Sequence, residues 1–321
     1  MNSNFILIIL GEPNSTFSEL LFKYFKSKNF KKSKDTIVLI GNNKLLKKQM
    51  KKLNYNILIN EISDIKKAKK KIVNIINVEF KFKKTFTKIT SSSNKYIEKS
   101  FSIGLKLLKL HNLNKLINGP VSKTHFLKKK FPGITEYIGF KTKSKNQVML
   151  IYNKNLAVTP LTTHIPIKDV ARNIKKNKII NTAIKINEFY KSKLQREPKI
   201  AILGLNPHCE SIASKSEETV EISPAVKYLA KKKIKVFGPF PADTFFLKKN
   251  IKRFDVVIGM YHDQVLTPIK TLFKFKAINI TIGLPFIKVT PDHGPNYEMI
   301  GKNKSDPTSI FYALDFLNKI R

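Results

Sequence analysis

The sequence predicts an α/β protein of two lobes, with parallel strands joined by crossover helices. Three observations predict it. At 321 residues the chain can build two cores that share a cleft. Short apolar runs alternate with stretches of helical spacing, a pattern that favours parallel pairing through helical crossovers. Several of those runs stop abruptly in polar turns, as the run Asp255–Met260 does at Tyr261-His262-Asp263-Gln264. In open α/β sheets ligands bind outside the carboxyl ends of the strands, so residues placed there are candidates for chemistry.

Taken in order, Phe5–Leu10 is a buried strand that turns at Gly11-Glu12-Pro13. Thr16 and Glu19 have the spacing of a capping box ahead of Leu20, Leu21, Tyr24 and Phe25, which predicts a helix start. Strands follow at Thr36–Ile40 and Ile57–Ile59, with Leu46, Met50 and Leu53 at helical spacing between them. Residues 80–94, rich in Lys, Thr and Ser, read as an excursion or hairpin. Ile103, Leu107 and Leu110 mark one face of the next helix, and Lys115–Ile117 leads into Asn118-Gly119-Pro120-Val121-Ser122-Lys123. Val148–Tyr152 and Leu156–Leu161 form a strand pair, followed by a long helix with Ile179, Ala183, Ile186 and Tyr190 on one face. Lys199–Leu205 is a buried strand, Glu217–Ala230 a helix, and Lys235–Phe237 a strand entering Gly238-Pro239. Residues 277–284 make a further strand, and a helix over Ser309–Asn318 closes the chain.

Hydrophobic content of 42% and aromatic content of 10% fit a globular protein rather than a disordered one. Phe5–Leu10 is too short to span a bilayer and lacks a basic region before it, so no signal peptide or membrane anchor is expected. Cys209 has no partner for an internal disulfide, which fits a reducing, cytoplasmic compartment. The net charge of +39 is almost all lysine, the arginines being Arg172, Arg196, Arg253 and Arg321. Nucleic-acid readers lean on arginine and cluster basic residues with aromatics on one face; the sequence scatters its lysines over every segment. A general attraction for anionic substrates is expected, and a specific nucleic-acid site is not.

Neither G-x-G-x-x-G nor G-x-x-x-x-G-K-[ST] occurs, which removes the ordinary dinucleotide fingerprint and P-loop phosphoryl transfer. His164, His208 and His262 each fall within three residues of an apolar strand's end. Any one of them could simply cap a strand by hydrogen bonding. Three at equivalent positions favour a divalent-metal site of neutral imidazoles with one coordination position open. His111 and His125 read as surface residues, and His293 as a turn or supporting residue. Cys209 adjoins His208, but a cysteine next in sequence to its base is rarely oriented to use it, so no thiol nucleophile is expected.

The blocks Gly11-Glu12-Pro13, Gly119-Pro120-Val121 with Lys123, Thr135-Glu136, Thr162-Thr163-His164, Gly204-Leu205-Asn206-Pro207-His208, Gly238-Pro239 with Pro241-Ala242-Asp243-Thr244, Met260-Tyr261-His262-Asp263-Gln264, Asn279 with Gly283-Leu284-Pro285, and Asp292-His293-Gly294 occur in one order along nearly the whole chain. In this the sequence resembles the 4-hydroxythreonine-4-phosphate dehydrogenase family of vitamin B6 (pyridoxal 5′-phosphate) biosynthesis. The resemblance implies an isocitrate/isopropylmalate-dehydrogenase-like fold of two α/β/α lobes, residues 1–130 with 285–321 and residues 131–284, with the active site in the cleft between them. It implies a homodimer with a shared active site, a nicotinamide cofactor (NAD or NADP), and one divalent ion (Zn, Mg or Co). The family's metal histidines, which are also its catalytic residues, fall on His164, His208 and His262, its substrate-phosphate contacts on Lys270, Asn279 and Lys288, and its substrate-binding threonine on Thr135.

The implied reaction oxidises the C3 hydroxyl of 4-phosphooxy-L-threonine; the 3-oxo acid then decarboxylates to 3-amino-2-oxopropyl phosphate. The chain departs from the family pattern in four places. Ile134 stands where the family has histidine, and Cys209–Ala213 replaces a glycine-rich loop. Asn14–Phe17 replaces a run of small residues, and Lys288 stands where arginine is usual. Ile134 keeps open an alternative substrate such as 4-phospho-erythronate or 4-phospho-threonate, with the same chemistry.

Overall fold

The computed structural model describes residues 5–128, 130–209, 215–291 and 297–320. The expectations placed on Glu210–Ala213 and on Asp292-His293-Gly294 lie outside the described residues. The chain divides into two compact units, Met1–Gln147 with Leu284–Arg321, and Val148–Gly283.

The first unit carries strands β1 (Phe5–Ile9), β2 (Thr36–Gly41), β3 (Ile59–Glu61), β4 (Val73–Asn77), β5 (Lys115–Asn118) and, after the excursion into the second unit, β12 (Ile287–Pro291). They stand in the order β3-β4-β2-β1-β5-β12, and every pairing is parallel. Their buried residues, among them Leu7, Ile9, Val38, Ile40 and Leu116, pack against Ile97, Phe101, Tyr137 and Ile138 from the covering helices. Lys115 is buried within β5, where it donates to Asp35 Oδ2 at 2.8 Å.

Three local expectations need correction here. The capping box does not form: Thr16 makes no side-chain cap, and Glu19 turns inward to accept from the backbone N–H of Ser305 (2.7 Å) and from Lys23 Nζ (2.9 Å). The helix Asn94–Leu110 buries Ile97, Phe101, Gly104 and Leu108, with Ile103 and Leu107 partly buried against the same core; of the expected face only Leu110 fails, at 65% exposed. The strand expected at Ile57–Ile59 lies at Ile59–Glu61, and β4 lies where the sequence predicts no strand. Asn74 interrupts the apolar run of β4, yet it is fully buried and satisfied. Its amide donates to the carbonyls of Ile37, Lys69 and Ile72, and its Oδ1 accepts from Asn60 and the Lys69 N–H. A buried amide with its partners met carries little penalty.

The second unit carries β6 (Val148–Tyr152), β7 (Ala157–Thr162), β8 (Ile200–Leu203), β9 (Val236–Phe240), β10 (Val256–Tyr261) and β11 (Ile278–Ile282). Their order is β11-β6-β7-β10-β8-β9. The pairs β7–β10, β10–β8 and β8–β9 are parallel, and β6 runs antiparallel to both neighbours. The expected strand pair at 148–161 is therefore a hairpin, and the rest of this sheet is built by crossovers. The expected long helix is present as Lys176–Leu194, with Ile179, Ala183, Ile186 and Tyr190 buried.

Candidate functional site

The three histidines follow β7, β8 and β10, and these strands are neighbours in the order β7-β10-β8. Parallel strands present their carboxyl ends on the same edge, so His164, His262 and His208 leave the sheet side by side along it. Two of the three sit in left-handed backbone: His164 at φ 55° and His208 at φ 57°. Histidine tolerates this region better than most residues, and such conformations gather at functional sites.

The strand ends are tied together by side chains. Thr162 Oγ1 donates to the carbonyl of Met260 at 2.7 Å, joining β7 to β10. Gln264 accepts from the Met260 N–H at 2.7 Å and donates to the Gly204 carbonyl at 2.8 Å, joining β10 to the turn after β8. Buried Glu218 accepts from the N–H groups of Leu205 (2.7 Å) and Asn206 (2.8 Å) and from the Asn206 amide (2.8 Å). Burial pushes the Glu218 carboxyl up, but these hydrogen bonds outweigh it and hold the group below its ordinary range. Gly204 leaves room for this arrangement: a Cβ there would meet Cys209 Sγ at 2.6 Å and Glu218 Oε1 at 3.1 Å, so a larger residue would have to displace both side chains. Neither Gln264 nor Glu218 stands out in the sequence as a positioning residue, although Gln264 lies inside the quoted block. Gln264→Ala should strand two buried backbone groups at about 1–3 kcal/mol each. A melting temperature lower by roughly 5–10 °C is the expected result, and an unchanged one would exclude the tie.

His164 and His262 come together, with ring centroids 6.2 Å apart. Both line a surface cavity of about 340 Å³ with Thr162, Ile165, Tyr261 and Asp263. His262 opens the helix His262–Phe273, and its Nδ1 lies 2.6 Å from Asp263 Oδ1. With the proton on Nδ1 donated to that carboxylate, Nε2 is left as a metal-ligating lone pair. His208 has a similar but longer contact, 3.9 Å from Nδ1 to Asp243 Oδ2. Among the described residues no three His, Cys, Asp or Glu side chains converge as a metal cluster. Thus two of the expected ligands meet, and His208 stands one strand over. The donor set fits a divalent ion in kind: two imidazoles close enough to share an ion at bonds of about 2.1 Å after small rotations, one already backed by a carboxylate.

The phosphate candidates fall in both units. In the first, Lys288 on β12 is fully buried and its ammonium donates to Thr135 Oγ1 at 3.3 Å. Burial lowers the Lys288 pKa to about 7, opposed by the nearby Glu136 carboxylate. In the second unit, Lys270 is half-buried on the helix His262–Phe273 and burial likewise lowers its pKa. Asn279 lies on β11, and its Oδ1 is buried with no hydrogen-bond partner among the described residues. Ile134, the first residue of the helix Ile134–Lys141, packs on the apolar core of the first unit.

Comparison with known proteins decides the family. Residues 33–317 match the model for pyridoxal phosphate biosynthetic protein PdxA. The chain belongs to the PdxA family. A relative from Sulfurihydrogenibium, named 4-hydroxythreonine-4-phosphate dehydrogenase, is 37% identical over 317 residues, covering 97% of this chain and 96% of its own. The crystal structure of a 4-hydroxythreonine-4-phosphate dehydrogenase from Burkholderia phymatum superposes with a TM-score of 0.83 at 26% identity, covering 100% of this chain and 99% of that one. A beta-decarboxylating dehydrogenase from Thermococcus kodakarensis shares the fold at a TM-score of 0.55 and 8% identity, over 97% of this chain and 83% of that one. The PdxA chain thus has the α/β dehydrogenase fold that its sequence blocks imply. No helix among its described residues is long and apolar enough to cross a membrane.

Proposed function

We propose that this PdxA-family chain is an NAD(P)-dependent 4-hydroxythreonine-4-phosphate dehydrogenase of pyridoxal phosphate biosynthesis, acting as a homodimer with a shared active site. The observation that carries the reading is the pairing of His164 with the Asp263-backed His262 on neighbouring strand ends, in a chain whose Sulfurihydrogenibium relative bears that name and is matched over 96% of its length. His164, His262 and His208 would hold one divalent ion, with one of the three supplied by the partner subunit. When bound, such an ion lowers the pKa of a substrate hydroxyl and polarises the ketone that replaces it, which favours hydride loss and then decarboxylation.

The chain's own residues do the positioning. Asp263 fixes the imidazole of His262, and the ties through Thr162 and Gln264 fix the strand ends that carry His164 and His262. Lys270, Asn279, Lys288 and Thr135 are the substrate contacts that the family resemblance assigns, and within the first unit Thr135 Oγ1 accepts from the Lys288 ammonium. Fixing the phosphate at the far end of a small substrate sets the reacting carbon against the cofactor. The test is turnover of purified protein with 4-phosphooxy-L-threonine and with 4-phospho-erythronate and 4-phospho-threonate, each with NAD and NADP. Reduction of cofactor by the first substrate alone supports the reading, and activity only with an acid that carries a hydroxyl in place of the amine replaces it.

Ile134 sharpens that test. Gaining one hydrogen bond to substrate is worth roughly 0.5–3 kcal/mol, about twofold to a hundredfold in affinity. Ile134→His should lower the KM for 4-phosphooxy-L-threonine within that range and leave kcat nearly unchanged. An unaltered KM would show that the pocket already supplies the contact from another residue.

A further inference from the structure

The first unit gathers on one face what the sequence scatters. Lys48, Lys51 and Lys52, on the helix Asn43–Lys52, and Lys83 and Lys84, on the excursion after β4, line a single cleft of about 670 Å³ together with Phe86. All five lysines are exposed, and among the described residues no ion pair joins any of them to a carboxylate. Two ammonium groups lie over aromatic rings: Lys48 at 5.4 Å from the Phe82 centroid and Lys52 at 5.6 Å from that of Phe86.

The excursion is a built surface, not a loose strap. Phe80 packs on buried Tyr96 at 4.9 Å and stacks on Phe82 at 6.2 Å, so an aromatic row runs from the core to the cleft. The Thr87 N–H donates to Asn14 Oδ1 at 3.0 Å. Phe86 is held at φ 57°, a left-handed conformation costly for a bulky side chain, with its ring against Gly301. Strain of this kind persists only where the surroundings impose it, and it concentrates at ligand clamps. Neither His164, His262 nor any proposed phosphate residue lines this cleft.

We propose that this cleft is a second binding site, separate from the dehydrogenase site, for a small polyphosphate anion. Five ammonium groups around one concavity, none joined to a carboxylate among the described residues, favour an anion that brings several negative charges at once, more than one phosphate carries. Lysine supplies point charges suited to phosphate oxygens rather than the planar fork used for base edges. The cleft is open and short, lined by one helix end and one turn, so it suits a compact anion held by charge, whereas a nucleic-acid strand needs a groove that tracks its backbone over many nucleotides.

The probe is inorganic tripolyphosphate, titrated calorimetrically into the full chain at fixed salt. Lys51→Glu/Lys52→Glu should weaken binding at least tenfold. The charge-matched control Lys227→Glu/Lys231→Glu, on exposed positions of the other unit, should change it less than about twofold. Phe86→Ala should weaken it more than the control does, and orthophosphate should bind at least tenfold more weakly than tripolyphosphate. Equal losses in the cleft variant and the control would mean that net charge alone binds the anion, and the site would be discarded. Tighter, cleft-dependent binding of a 20-nucleotide single strand would replace it with a nucleic-acid site. The KM values for 4-phosphooxy-L-threonine and for the nicotinamide cofactor should be the same in Lys51→Glu/Lys52→Glu as in the wild type. A rise in either would place the cleft within the dehydrogenase site and end the claim of a separate one. Because this binding is read without turnover, failure of the proposed dehydrogenase activity would leave it standing.

Discussion

Lys288→Met should raise the KM for 4-phosphooxy-L-threonine by roughly tenfold to a hundredfold, the value of one charge-assisted contact of about 1.5–3 kcal/mol. The effect should depend on pH in a way that identifies the residue. In the protein without ligand, burial brings the Lys288 pKa down to about 7. An arriving phosphate dianion restores the charge, so binding takes up a proton whenever Lys288 is neutral. Above pH 7 the apparent affinity should fall about tenfold per pH unit, until the pKa of the complex is reached. Lys288→Arg should keep the affinity and abolish this dependence, since a guanidinium does not deprotonate. A wild-type KM that is flat from pH 7 to 9 would exclude Lys288 as the phosphate contact.

The same group sets a stability signature of opposite appearance. Its folded pKa is depressed from 10.5 to about 7, so between those values the unfolded chain binds a proton that the native chain does not. Stability therefore rises with pH across that window, by at most about 1.4 kcal/mol per unit from this residue. The contribution is complete above 10.5 and is lost as pH falls through 7. Lys288→Met should be more stable than the wild type at pH 7, by a few kcal/mol, with the difference shrinking toward pH 10. Weaker substrate binding in a more stable protein is a combination that a merely structural lysine would not give.

Much of the fold is legible in the sequence because buried parallel strands write themselves as continuous apolar runs, as in Phe5–Ile9 and Val256–Met260. The strand-end histidines are legible for the same reason: a run of that kind has a definite end, and the residues just past that end sit on the ligand edge. The features that escape depend on distant partners. Asn74 reads as a strand breaker until Asn60 and the 69–72 backbone are seen to satisfy it. Glu19 reads as a cap residue until its oxygen is found on Ser305, 286 positions away. Gln264 and Glu218 organise the strand ends through backbone groups 60 and 12 residues off, which no local pattern signals. The lysine cleft is legible only in three dimensions, because its two segments are separated by β3 and β4.

His262→Ala should lower turnover by at least a hundredfold while leaving the fold intact. The imidazole stands at the first position of a helix with 41% of its side chain exposed, so truncation opens no core cavity. Val265 and Ile269, one turn and two turns on, keep the helix seated. The loss should therefore appear in the metal and not in the melting temperature. Equilibrium dialysis against Zn²⁺ should show at least tenfold weaker binding than the wild type, and His164→Ala should behave alike, because the two rings share one cavity. Asp263→Asn gives the finer test. It keeps the shape but removes the carboxylate from Nδ1, and should cost a smaller factor, about tenfold in metal affinity. His208→Ala should match the other two histidine variants if all three serve one ion. If it binds metal like the wild type, the ion is held without His208, and the three-histidine assignment reduces to the pair that the structure brings together.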